Sequence, residues 1–361
     1  ATGLWIAGGA AEVADVEVIG GQRGIRVEGG GTLAGDRVTC QRPTIDGVSM
    51  QEAEATLIAL RVTGAGSTGL ALNRGSRLHL REAVIDGAGR IGALVSDADL
   101  QADGLQVLDA TERGLSLLRA TARLDGLEIR RAGNVGVQIT DAAGDVTLGS
   151  GVIADCATSG VAIFGDSGAI TLGAMRVEGT VAGEAGLAEG VHIFQAQATL
   201  QGTEVRGNGG AGVLVEQAVA VVRDAVLAEN TEPGLVALDA PQPIIVERTE
   251  ARSNGGAGFF FLGGEATLDD CTGAENRLNL SVGPGHGAAA AAGAQLTVIG
   301  GAYISNVGNG LSVEPGAQAT ASGARFAGNG RYGVEAACDA FSEPEPNAYA
   351  ENGAGDRGGC R

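Results

Sequence analysis

The chain has 361 residues, 63 of them Gly, with 43 acidic against 24 basic side chains and a formal charge of −19. Every basic residue is Arg, and the acidic balance argues against nucleic acid and anionic membrane surfaces, which need clustered cations. A cation, a neutral sugar or a basic partner protein stays compatible, and no apolar run approaches the roughly 18 residues of a membrane helix, which argues against direct membrane insertion.

From the N-terminus onward one signature recurs: a Gly followed by apolar residues at alternate positions. It starts at Gly3, Gly24, Gly47, Gly69, Gly92, Gly114, Gly136, Gly160, Gly190, Gly212, Gly234, Gly258, Gly287, Gly310 and Gly333. Successive starts lie 21 to 24 residues apart, except for intervals of 30 and 29 that end at Gly190 and Gly287. A fixed period of this length marks a solenoid. Within one period, as in "GVHIFQAQATLQGTEVRGNGGA" from Gly190, three short alternating runs are separated by Gly, Asn and Asp, which reads as three short strands. The expectation is an all-β solenoid over residues 1–335, about fifteen coils of about 22 residues, followed by an irregular cap over residues 336–361. The repeat begins two residues after Ala1, so an upstream segment or another subunit is expected to cover the open edge of the first coil.

Cys40, Cys156 and Cys271 fall at different phases of the repeat and read as buried small residues. Cys338 and Cys360 flank the irregular segment and are expected to pair. One disulfide places the chain in an oxidising setting: extracellular, periplasmic or at the cell surface. Asp97 and Asp99 in "SDADL" are the one place where a calcium ion comes into question, though a solvated face is the expected role; otherwise no cofactor is implied. His79, His192 and His286 lie in separate coils, which gives no metal cluster.

On these features the chain resembles the right-handed parallel β-helix proteins of the pectin-lyase-like superfamily along essentially its whole length. The resemblance implies the fold and says little about function. Enzymes of that superfamily include polygalacturonases and pectate lyases. "GPGHGAAA" sets His286 directly before Gly287, the phase a polygalacturonase uses, but Ala257 stands where the preceding coil needs an Asp. The paired acids of "LDDC", Leu268–Cys271, belong to another strand, so the two carboxylates of glycoside hydrolysis do not meet His286. A lyase base cannot be Lys here, which leaves Arg.

Asn208, Asn230, Asn254, Asn306 and Asn329 each stand four residues before a repeat Gly. They are expected to stack as a ladder at one corner, in the left-handed conformation that Asn tolerates. Positions two and four after each Gly are expected to point outward. From Gly160 to Gly258 these become bulky: Phe164, then His192 and Phe194, Leu214, Val236 and Leu238, Phe260 and Leu262. The two long intervals carry insertions, "EGTVAGEAGLAEG" and "ENRLNLSVGPGHG", that bracket this stripe, and His286 lies at its far end. Insertions on one edge of a solenoid usually build a binding face. The leading expectation is a non-enzymatic, secreted or surface-associated scaffold or binding module that recognises a partner protein or glycan there. Loops folded back to cover the stripe as core are the competing expectation. The functional alternative is a polysaccharide-active enzyme, lyase or glycoside hydrolase, with an atypical site.

Overall fold

The computed structural model describes residues 1–165, 168–183 and 186–359, with strands and no helix among them. The chain is a right-handed parallel β-helix of about fifteen turns. It divides into two compact units, Ala1–Arg176 and Val177–Arg361.

In the first unit the strands that open each coil include Asp46–Gln51, Thr68–Asn73, Ile91–Ser96 and Arg113–Leu118, each paired in parallel with the next. In the second they include Ala188–Phe194, Val213–Glu216, Leu235–Leu238 and Phe259–Leu262. Alternation puts Val191, Ile193, Val213 and Val215 fully inside, at 0% exposure. Each such burial contributes roughly 1.5–3 kcal/mol.

Each strand typically ends on a left-handed residue, which turns the chain sharply enough to begin the next side of the coil. The coil from Gly212 uses Gln217, Asp224 and Glu229, with φ of 49°, 51° and 59°. In the second unit the three expected strands per coil are separate. In parts of the first unit the second and third run together over ten residues, as in Arg77–Asp86 and Asp99–Leu108. There a single left-handed residue, Glu82 or Gly104, bends the strand without ending its pairing.

The repeat Gly answers a different demand. At Gly234 a Cβ would stand 2.7 Å from the Gly258 carbonyl oxygen and 2.9 Å from Asn254 Nδ2. At Gly24 it would meet Cys40 Sγ and the Gly47 oxygen, both at 2.6 Å. These Gly residues allow a close approach of coil to coil and of strand to strand.

Core volume is shared within each coil. The coil that buries Phe259 and Phe261 has Gly273 on its third strand, whereas in the next coil the first strand turns the small Ala288 and Ala290 inward and the third brings the large, buried Tyr303. Tyr303 then stacks on Phe326, and Phe326 on Tyr349, with centroids 5.4 and 5.6 Å apart.

Residues 336–359 depart from the irregular cap expected there. Phe341–Ser342, Ala348–Ala350 and Gly355–Gly358 are three further strands in parallel register with the coil before. Pro344 and Pro346 interrupt the apolar alternation but sit in the turn between two strands.

Candidate functional site

The second strands of the first unit present a groove of about 1060 Å³, lined from Ala10 to Thr147 across seven coils. Two rows of outward side chains make its floor. One row runs Thr32, Glu54, Arg77, Asp99 and Thr121 in register. It is internally satisfied: Arg77 lies 3.2 Å from Glu54 and 3.5 Å from Asp99, and Thr121 donates to Asp99. The other row runs Glu12, Ala34, Thr56, His79, Gln101, Arg123 and Thr147. Its polar side chains have no hydrogen-bond partner among the described residues and face the groove. Coils repeat at about 4.8 Å, so His79, Gln101 and Arg123 offer hydrogen-bonding groups at that interval.

Residues were missed here because no motif announces them. The legible signal was an Arg flanked, one coil before and one coil after, by acidic residues at the same phase.

The carboxylates of the groove are spread along its length. The guanidinium of Arg77 fills the space between Glu54 and Asp99 that a water would need. Glu12 and Asp145 lie at opposite ends of the groove, about 29 Å apart over six coil steps, against the 5–9.5 Å that two catalytic carboxylates require.

Asp97, considered for a cation, is engaged otherwise. Arg119 donates to it from Nε and Nη2 at 2.7 and 2.8 Å, which holds its carboxyl below the usual range. Among the described residues no group of three or more His, Cys, Asp or Glu gathers as a metal site.

In the second unit the stripe lies where the alternation sets it. His192, Leu214, Val236 and Phe260 share one register position, and Phe194, Glu216, Leu238 and Leu262 the next. All are half-buried. The column closes at Ala289 and Ala291, both 3% exposed. His192 Nε2 is 3.6 Å from Glu216, and its ring meets Phe194 edge-on at 6.3 Å. Phe164 is half-buried at the end of its strand in the first unit, beside Thr140. Leu94 and Leu118 also point outward in that unit, so bulky outward residues are not confined to the second.

The insertions seat on corners that lack side chains. Gly209 and Gly210, in the first "NGGAG", pack against Thr180, Val181 and Ala188 of the first insertion. Gly255 and Gly256, in the second copy, lie against Asn279 and Val282 of the second. Asn279 Nδ2 also donates to the Thr231 carbonyl at 2.7 Å. The repeated pentapeptide therefore marks the two places where a loop rests on the solenoid. Leu280 stays 94% exposed and Val181 57%.

Two predicted groups are structural. His286 is buried at 8% exposure, and its Nδ1 accepts from the Asn309 backbone N–H at 2.9 Å. Burial, aided by Arg331, pushes its pKa down to about 4. Its assignment to the binding face is thereby corrected: the ring is locked between coils. The five asparagines are buried and form one column with buried Asn276 and half-buried Asn352, which spacing from the repeat Gly did not reveal. The left-handed residue is the one before each Asn, such as Glu229 or Ser253, and not the Asn itself. Side-chain hydrogen bonding between coils, rather than tolerance of positive φ, explains the residue type. Cys360 lies outside the described residues, so the pairing with Cys338 stays a proposal.

No curated protein matches the chain. Solved structures similar to it include a periplasmic alginate epimerase (9% identity, 92% of this chain and 76% of that one, TM-score 0.46). A Dettilon tailspike protein is 9% identical over 82% of this chain and 61% of that one, with a TM-score of 0.44. The catalytic unit of an alpha-1,3-glucanase from Streptomyces thermodiastaticus is 14% identical over 99% and 62%, with a TM-score of 0.27. Residues 185–355 match the family described as the right handed beta helix region.

Proposed function

We propose that the chain is a non-enzymatic β-helix binding module that works outside the cytoplasm, and that its first unit holds an extended, hydroxyl-rich polymer, a glycan, along the groove. The observation behind this reading is the row Thr56, His79, Gln101 and Arg123. These are hydrogen-bonding side chains on successive coils, without internal partners among the described residues, beside a second row whose charges already satisfy one another. A chain of sugar units laid along the solenoid meets one such group per coil. Hydroxyls need many modest, repeated hydrogen bonds rather than one deep pocket, and a shallow groove supplies them.

Affinity electrophoresis of the purified chain through gels cast with individual soluble polysaccharides tests this. At least one neutral or weakly acidic polymer is expected to retard it. Prolonged incubation with that polymer should release no new reducing ends and no unsaturated product. Retardation by none of a broad panel contradicts the binding reading, and product release favours the enzyme alternative.

A further inference from the structure

The apolar column of the second unit has chemistry unlike that of the groove. Leu214, Val236, Phe260 and Ala289 are in register over four coils, with Leu238 and Leu262 beside them. At the two ends the insertions hold Leu187 at 40% exposure and Leu278 at 56%. Leu214, Val236 and Phe260, with Leu238 and Leu262, are partly exposed over three coils, and such side chains extended by exposed loop residues mark an interaction surface.

Glu216 lies on the column, and two further carboxylates lie at the corner before it. Glu216 is the register neighbour of Phe194 and Leu238. Glu232 precedes Gly234 by two residues and is half-buried, and Glu189, at 6% exposure, precedes Gly190 by one. Burial and the charge of Glu189 both raise the Glu232 carboxyl, so these two acids sit within each other's field. An approaching cation relieves that crowding. An anionic polymer is repelled.

We propose that this face docks a partner protein through a segment that combines Lys or Arg with apolar side chains, the apolar groups lying on Leu214, Val236 and Phe260 and the cations meeting Glu216 and Glu232. Apolar contact supplies the anchor, and the acidic edge selects the partner's charge.

The test is calorimetric titration of the full chain with an acetylated, amidated octapeptide of alternating Lys and Leu. Alternating Lys–Ser and Glu–Leu octapeptides are the controls. The Lys–Leu peptide is expected to bind, with both controls at least about tenfold weaker. Val236→Ser and Glu232→Gln should each weaken binding at least about fivefold while leaving the unfolding midpoint in place. An Arg123→Ala chain, altered only in the groove, should bind the peptide normally, which keeps this result separate from that of the glycan reading. Equal binding of the Lys–Ser peptide overturns the proposal, because charge alone then suffices. Unchanged affinity in both variants, or no binding of the Lys–Leu peptide, overturns it as well.

Discussion

Asn230 donates from Nδ2 to Asn254 Oδ1 at 3.0 Å, and the same oxygen accepts the Asn230 backbone N–H at 3.1 Å. The second Nδ2 hydrogen reaches the Val205 carbonyl at 3.2 Å. Each rung thus satisfies a corner N–H and a side-chain amide, all buried. In the first unit Ala65, Ala88, Ala110 and Ala132 occupy the same phase, four residues before the repeat Gly. Asn254→Ala leaves two buried donors of Asn230 without an acceptor, and a loss of about 2–4 kcal/mol is expected. Urea unfolding measures it, and a change within experimental error would show that water replaces the rung.

Gly234→Ala isolates the close approach of coils, because its Cβ meets the Gly258 carbonyl and Asn254 Nδ2 without any demand for positive φ. Backbone cannot move aside as a side-chain tip does, so a cost of about 1–3 kcal/mol is expected. Gly316→Ala is the contrast: it has open space but a φ of 89°, so its penalty is conformational alone. Thermal unfolding of the pair separates the two causes.

His286 makes stability depend on pH. The folded ring titrates near 4, whereas an unfolded His titrates near 6.5. Between these values the unfolded chain binds more protons, so stability falls as pH drops from about 6.5 through 4, by about 3 kcal/mol in full. Burial sets most of the effect, Arg331 adds to it, and Glu335, hydrogen-bonded to Asn309 at 2.7 Å, opposes it. His286→Asn should remove this contribution, read as the difference between the two unfolding-against-pH curves. Parallel curves would contradict it.

Cys40, Cys156 and Cys271 are buried free thiols whose pKa values burial pushes up to about 12, 11 and 12. None should react with iodoacetamide at pH 8 in the folded chain, since the thiolate is the nucleophile. If Cys338 and Cys360 pair as proposed, the native protein takes up no label, and unfolding without reductant exposes three thiols. Such a pairing would close a loop of about 22 residues and contribute about 3 kcal/mol.

The fold was legible because two signals agree: a Gly spaced by coil length, and alternation after it, as at Val191 and Ile193. The inward set and the two insertions followed from that phase. The groove was not legible, because Thr56, His79, Gln101 and Arg123 form a row only once coils are stacked. Each alone reads as an ordinary polar residue on a strand. Asn276 escaped for a related reason. The insertion after it separates it from Gly287, so only its position after the left-handed Glu275 identifies the corner. Asn352 escaped because the Pro-containing turn hid the coil that contains it.

The most direct measurement is the affinity of the best-retarding polysaccharide for the chain and for a His79→Ala/Arg123→Ala variant. The account predicts a loss of at least about tenfold, corresponding to about 1.4 kcal/mol, with unfolding unchanged because both side chains lack internal partners among the described residues. A Phe260→Ser chain should retain full affinity for the polymer. Undiminished binding by the double variant, or loss of polymer binding in Phe260→Ser, would contradict the assignment of the glycan to the groove of the first unit.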